Sequence, residues 1–342
     1  MKMLDDKMKP HPDTPNIGDK EILEISNYQI DILGPGIVVF RNVLQFDQKT
    51  AFDYIDSKAD ESHKNRWSYI VGEDGEKYGI NEDGFRYRPE DIPATPVRIL
   101  RPVEETTPED VACFFHNIEE TIYKCLIRYI DIYPLLVGCV WWRNRGHVLR
   151  YVDDGVLGSH CDNDTNYKVT GGVRYMPRGQ MAARQTCGAL VYLNDCVDDE
   201  SQLDGTNFVG GHLRFFHMDI EYRPQRGDVI MFPTNYIASH DVTRMTAGRR
   251  YTYLSFFGQG SPDDKVNINV VEPDQSFDWC PGMWMNNIYD DYERYCKSEF
   301  SLYSKNEVEL GINPVFQGRC VAQYGSTHIS EELNDGQDTD IS

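Results

Sequence analysis

Long apolar runs are missing. No stretch of eighteen apolar residues occurs in the chain, so a membrane-spanning helix and a membrane partner are not expected. The start, Met1-Lys2-Met3-Leu4-Asp5-Asp6, is not followed by the apolar segment of a secretory signal, and the expected location is cytoplasmic. The nine cysteines are odd in number and scattered, with no Cys-x-x-Cys. That pattern argues against a disulfide framework and against a structural zinc site. Basic residues are scarce: 34 Lys and Arg face 55 Asp and Glu, for a net charge of -21. Such a surface repels phosphate backbones, so nucleic acid is not an expected partner. No internal repeat is visible, and nothing in the sequence speaks to oligomeric state.

Apolar residues make up 40% of the 342 positions, enough for a substantial core in one elaborated domain. Residues 1–30 form a polar leader expected to be loosely ordered. Residues 31–325 are expected to form a single domain, with its core at about 36–260 and a C-terminal extension at 261–325. Residues 326–342 are an acidic tail without core-forming residues, expected to be disordered. The run Gly36-Ile37-Val38-Val39-Phe40 opens the fold as a strand, and a short amphipathic helix is expected over 48–58. Thr107-Pro108-Glu109 supplies a cap, a first-turn proline and an early acid. Beyond it Val111, Phe114, Phe115, Ile118, Ile122, Cys125, Leu126 and Tyr129 recur at helical spacing, which predicts a helix packed across the outer face of a sheet. Trp141 and Trp142 read as core, and residues 280–303 carry aromatic and acidic groups with some helical period.

The triplet His-x-Asp occurs three times, at His11, His160 and His217. His11 lies in the polar leader, where a solvated turn is expected. His217 continues the alternation of Leu213 and Phe215 and is expected to pack on their face. His160-Cys161-Asp162 has a different setting. Gly146 to Tyr151 reads as a strand, Asp153-Asp154-Gly155 as a turn, and Ser159 to Asp162 as the next strand, whose alternation puts His160 and Asp162 on one face and Cys161 on the other. Far downstream, His240 precedes a strand from Arg250 to Phe257, with Gly248 as the turn between them. Two imidazoles and one carboxylate occupy one face of an octahedral metal and leave the other open, the arrangement of a non-haem Fe(II) oxygenase.

At these residues the chain resembles the prolyl 4-hydroxylase-like branch of the Fe(II)/2-oxoglutarate-dependent dioxygenases. The matching stretches are Tyr151-Val152-Asp153-Asp154 through Asp162, Tyr192-Leu193-Asn194, Gly210-Gly211-His212-Leu213-Arg214-Phe215, Pro224 through Gly227-Asp228 to Phe232, and His240-Asp241-Val242 through Arg250. The resemblance spans about 36–260. It departs from the family pattern where the glycine after the tyrosine falls one place late, at Gly155, where Arg244 replaces a proline, and where residues 195–210 lengthen a connection. The fold it implies is mainly β with flanking helices, a double-stranded β-helix (jelly roll, cupin-like) with the metal at its open mouth.

The same resemblance implies Fe(II) held by His160, Asp162 and His240, with 2-oxoglutarate as co-substrate and O2 as oxidant. Arg250 matches the distal carboxylate of 2-oxoglutarate bidentately, and Thr252 or Tyr192 completes the hydrogen bonding. Alternation sends Arg249 to the opposite face. A surface ion pair is the other reading of Arg250. Tyr151 either approaches the co-substrate or iron or packs as an aromatic in the barrel wall, and Asn163 and Asp164 either reach the open face or end the strand. The Gly171 to Arg184 segment, with Arg174 and Arg178, is either a solvated loop or a clamp for carboxylate-bearing substrates.

The expected activity is hydroxylation of an aliphatic C–H of an amino acid or an amino-acid-derived small molecule, yielding succinate and CO2. Since Asp162 keeps its carboxylate in the ligand set, no position is opened for a halide, and hydroxylation is expected in preference to halogenation. Two alternatives stand beside it: a peptidyl prolyl or lysyl hydroxylase, and a non-catalytic cupin-like binding or sensing protein.

Overall fold

The computed structural model describes residues 17–65, 68–80, 86–90, 96–99, 102–104, 106–144, 146–164, 184–259, 281–285 and 287–305. It opens with helix α1 (Asp19–Ser26), strands β1 (Gln29–Gly34) and β2 (Ile37–Arg41), and helix α2 (Gln48–Asn65). A small sheet follows, β3 (Ser68–Val71), β4 (Lys77–Ile80) and β5 (Arg86–Tyr87), then β6 (Val97–Ile99) and the long helix α3 (Glu109–Ile132). Next come β7 (Trp142–Asn144), β8 (His147–Tyr151), β9 (Leu157–His160), β10 (Gln185–Tyr192), β11 (Cys196–Val197), β12 (Phe208–Gly210) and β13 (Leu213–Phe215). The last strands are β14 (Ile220–Tyr222), β15 (Val229–Pro233), β16 (His240–Val242), β17 (Met245–Gly248), β18 (Arg250–Gly258) and β19 (Pro281–Trp284), before helices Ile288–Lys297 and Leu302–Lys305.

The major sheet runs β1-β2-β15-β10-β18-β7-β19, with β8 also paired to β18 and β6 to β8. A minor sheet, β14-β13-β16-β9, faces it. Period-two alternation decides where each residue goes. On β15, Val229 and Met231 point outward and Ile230 and Phe232 inward; on β2, Val38 and Phe40 point outward and Ile37 and Val39 inward. The outward set packs against α1, α2 and α3 in one core, and the inward set meets Leu213, Phe215, Tyr222 and Val242 of the minor sheet in a second. Two facing antiparallel sheets with helices on one outer face make this a jelly roll, the double-stranded β-helix expected from the sequence.

The predicted stripe of α3 is buried throughout, from Val111 to Tyr129, and Pro108 stands at its N-cap ahead of Glu109 and Asp110. Other expectations need correcting. The fold does not open at Gly36: α1 and the first two residues of β1, Gln29 and Ile30, lie inside the stretch read as a polar leader, because Ile22 and Ile25 share one helix face that packs into the outer core. Helix α2 does not stop near residue 58 but continues to Asn65, its segment after Ala59 holding neither Gly nor Pro. The tryptophan pair divides: Trp142 on β7 is buried, whereas Trp141, just before it, is half exposed. The tail at 326–342 and most of the extension lie outside the described residues.

Candidate metal centre

Strand pairing brings the two histidines together. In the β9–β16 ladder His240 stands opposite His160, and their ring centroids are 4.5 Å apart. Asp162 joins them differently from the sequence expectation. Strand β9 ends at His160, and Asp162 lies in the turn beyond it, closed by Asp164 N–H donating to the Cys161 carbonyl at 3.0 Å and anchored by Asn163 N–H donating to the Thr234 carbonyl at 3.1 Å. The turn, not strand alternation, swings the carboxylate inward. Asp162 Oδ1 sits 3.4 Å from His160 Nε2 and 3.9 Å from His240 Nε2, so one atom from each residue could hold a single ion.

The orientation of the rings is set from behind. His160 Nδ1 lies 2.8 Å from the Gly158 carbonyl, and His240 Nδ1 lies 3.0 Å from the Ala238 carbonyl. A carbonyl only accepts, so each Nδ1 carries the proton and each Nε2 keeps its lone pair for the centre. Phe215 and Phe232 close round His240, with ring centroids at 5.5 and 5.0 Å. Burial opposes the negative charge of Asp162, yet His240 and His160 hold its carboxyl below the usual carboxylate value. For His160 burial is outweighed by the Asp162 hydrogen bond and charge, and its pKa rises; for His240 burial prevails and the pKa falls. Asp162 Oδ2 is buried and, among the described residues, has no hydrogen-bond partner.

A second group of buried polar atoms lies on β18 and its neighbours. Gly248, at φ +87 with its Cα hydrogen against Asn207 and Phe208 backbone, makes the turn that starts the strand. Arg250, Thr252 and Leu254 then face inward while Tyr251 and Tyr253 enter the outer core. The Arg250 guanidinium carbon is 4.6 Å from the Tyr151 ring centroid and 5.3 Å from that of Tyr192. Its Nε, Nη1 and Nη2, the Tyr192 hydroxyl and the Thr252 hydroxyl are all buried without a hydrogen-bond partner among the described residues. Leaving so many donors unpaired is costly, and a carboxylate is the group that satisfies a buried guanidinium and two hydroxyls together. Arg249 goes the other way, to an exposed ion pair with Asp56 at 2.5 Å.

The structure therefore brings His160, Asp162 and His240 together, and Arg250, Thr252, Tyr192 and Tyr151 together. It does not bring in His217, which is exposed in the turn between β13 and β14 instead of packing with Leu213 and Phe215, because β13 ends at Phe215 and the alternation stops there. Asp164 is exposed. His11, Arg174 and Arg178 fall outside the described residues. Two inward residues were not singled out from the sequence, Arg98 on β6 and His147 on β8. The alternation of Leu149 and Tyr151 carried the signal for His147.

A barrel with an inward His-Asp-His cluster and a buried arginine defines a class of metal-dependent oxygenases. Residues 146–258 match the 2OG-Fe(II) oxygenase superfamily, and this segment of the chain belongs to that superfamily. The protein is thus an oxidoreductase of the kind that uses Fe(II), 2-oxoglutarate and O2. No curated protein matches the chain in sequence. Among solved structures it is similar to a viral collagen prolyl hydroxylase from Paramecium Bursaria Chlorella virus-1, crystallised with 2OG, at 13% identity and TM-score 0.36 over 67% of this chain and 98% of that one. It is also similar to a Pseudomonas putida prolyl-4-hydroxylase, at 13% identity and TM-score 0.36 over 71% and 98%. A third is the Trichoplax adhaerens prolyl hydroxylase in complex with a hypoxia inducible factor peptide fragment, at 12% identity and TM-score 0.38 over 73% and 91%. Among the described residues no helix is long and apolar enough to cross a membrane.

Proposed function

We propose that this protein hydroxylates an aliphatic C–H of an amino acid or an amino-acid-derived small molecule, consuming 2-oxoglutarate and O2 and releasing succinate and CO2. The observation that carries this reading is the pairing of two unsatisfied buried groups inside one barrel: three ligand atoms converging at the mouth, and a guanidinium with two hydroxyls lacking partners deeper in. In this reading His160, Asp162 and His240 hold Fe(II), and Arg250 with Thr252 and Tyr192 holds the distal carboxylate of 2-oxoglutarate. Bound iron with the 2-oxo acid supplies the oxidising chemistry: decarboxylation to succinate is coupled to insertion of one oxygen atom into the substrate C–H bond.

The chain's own residues do the rest. The Gly158 and Ala238 carbonyls fix the two imidazoles as Nε2 donors to metal, and Asp162 adds one negative charge to the ligand set. Tyr151 and Tyr192 flank the guanidinium with their rings, which orient it by cation–π contact. Phe215 and Phe232 exclude water beside His240, and that strengthens every electrostatic contact within the site.

Anaerobic addition of Fe(II) and then 2-oxoglutarate tests the reading. A charge-transfer band in the visible is expected; its absence discards the proposal. His160→Ala and Asp162→Ala are each expected to abolish iron retention and succinate formation, since two ligands do not hold Fe(II) against water at ordinary concentrations. Unchanged turnover in either variant would refute the ligand assignment.

A further inference from the structure

Alternation alone does not explain which residues of strand β9 face inward. Leu157 packs against the inner core, and His160, three residues on, also faces inward, against His240. A regular strand would send residues 157 and 160 to opposite faces. The ladder with β16 supplies the reason. Val242 stands opposite Leu157 and His240 opposite His160, so Gly158 and Ser159 together stand against Asp241 alone. This is a β-bulge, one extra residue that re-aims the side chains after it. Without it, the one-residue slip would turn His160 out to solvent and displace the turn that holds Asp162.

The strand that carries the bulge is short and lies at the end of the minor sheet, where among the described residues it pairs only with β16. Its two ends are tied through backbone. Before it, Asp154 N–H donates to the Met245 carbonyl at 3.1 Å and Met245 N–H to the Gly155 carbonyl at 2.9 Å; after it, Asn163 N–H donates to the Thr234 carbonyl. Its middle is tied by side chains that point away from the inner core. Ser159 Oγ donates to Asp241 Oδ2 at 3.3 Å. Arg214, opposite Asp241 on β13, holds the same carboxylate from the other side, Nε donating to Oδ1 at 3.2 Å and Nη2 to Oδ2 at 2.7 Å. A carboxylate gripped twice by one guanidinium is fixed in direction as well as in place. Each ligand histidine thus has its chain neighbour in this clamp: Ser159 precedes His160, and Asp241 follows His240.

We propose that Asp241, held by Arg214, is a positioning residue for the metal centre: through Ser159 it fixes the β9 bulge, and with the bulge the inward aim of His160. Asp241 points away from the metal cluster and acts through the strand alone. The inference rests on the reading of that cluster as the iron site and adds to it the device that keeps its edge-strand half in place.

The test measures Fe(II) binding to the full-length protein by anaerobic equilibrium dialysis without 2-oxoglutarate, together with urea midpoints in the metal-free state. Asp241→Ala and Ser159→Ala are each expected to weaken Fe(II) binding by about tenfold, the lower end of the effect of groups that orient metal ligands from behind. Ser159 is exposed, so Ser159→Ala is expected to leave the urea midpoint unchanged, and Ser159→Thr, which keeps the hydroxyl, to bind Fe(II) as the unsubstituted protein does. At saturating Fe(II), the 2-oxoglutarate concentration that half-develops the charge-transfer band is expected to be the same in every variant, because Arg250 lies on a strand of the other sheet. The positioning role is overturned if Ser159→Ala binds Fe(II) normally, if Ser159→Thr binds it as weakly as Ser159→Ala, or if the 2-oxoglutarate requirement rises along with that for Fe(II). Failure of the unsubstituted protein to bind Fe(II) overturns the iron reading and the positioning role together, whereas normal binding in all variants overturns the positioning role alone.

Discussion

The guanidinium of Arg250 is only 1% exposed and is flanked by tyrosine rings where a structural arginine would have a carboxylate partner. Cation–π contacts of this kind are worth about 0.5–2 kcal/mol, well below the desolvation of a buried charge, which is several kcal/mol. A bound carboxylate closes that gap. Arg250→Ala is therefore expected to raise the 2-oxoglutarate requirement by about a hundredfold, equivalent to a lost charge-assisted pair of roughly 2–3 kcal/mol, measured as succinate formed against 2-oxoglutarate concentration. Arg249→Ala, which removes an exposed pair with Asp56, is expected to leave that dependence unchanged. The reverse result would show that the inward face of β18 has been assigned to the wrong residues. That face was readable in advance, since strand alternation separates 250, 252 and 254 from 249, 251 and 253 without any knowledge of neighbours. The position of Asp162 was foreseen for a different reason from the one that operates, because strand ends are set by pairing partners that a local pattern does not contain.

At the level of elements, the two sheets need a clasp at the end remote from the metal cluster, and Asp228 provides it. The residue is 1% exposed and follows the left-handed Gly227, whose added Cβ would lie 2.5 Å from the Leu44 carbonyl. Its carboxylate accepts from Arg41 Nη1 at 2.8 Å and Asn42 N at 2.8 Å on the β2 side, and from the Tyr222 hydroxyl at 2.7 Å on β14. One side chain thus ties a major-sheet strand, the turn into β15 and the edge of the minor sheet. Removing it leaves the buried Tyr222 phenol and the Asn42 N–H without their acceptor and leaves Arg41 with Asp31 alone, so Asp228→Ala is expected to destabilise the fold by about 2–4 kcal/mol, measured by urea denaturation. A change below about 1 kcal/mol would show that the clasp is not holding the sheets. In the sequence the Gly-Asp pair is recognisable only as the turn before a strand. Its bonds to residues nearly two hundred positions earlier exist only once β2 and β15 are adjacent. The helix α3 is the opposite case, because its buried stripe depends on spacing within one segment. The N-terminal helix and first strand were missed since each is short and half polar, and what orders them is the finished outer core they pack against.

For the molecule as a whole, the inner wall links the site to stability through proton binding. Burial, with the Arg98 charge adding to it, holds the pKa of His147 well below the ordinary histidine value. In the unfolded chain the same imidazole titrates near 6.5. Between those two values the unfolded state binds a proton that the folded state does not, so unfolding free energy rises with pH there and is lost as pH falls below about 6.5. The slope for one such group approaches about 1.4 kcal/mol per pH unit. Other histidines and carboxylates titrate in the same range, and comparison with His147→Gln cancels them, since they are common to both proteins. The unsubstituted protein is expected to lose stability relative to His147→Gln by up to that slope as pH is lowered from 7.5 to 5.5, read from urea midpoints in the metal-free state. Parallel curves for the two proteins would mean that His147 takes up its proton while folded, and that the inner wall beside Arg98 is open enough to solvate a second positive charge.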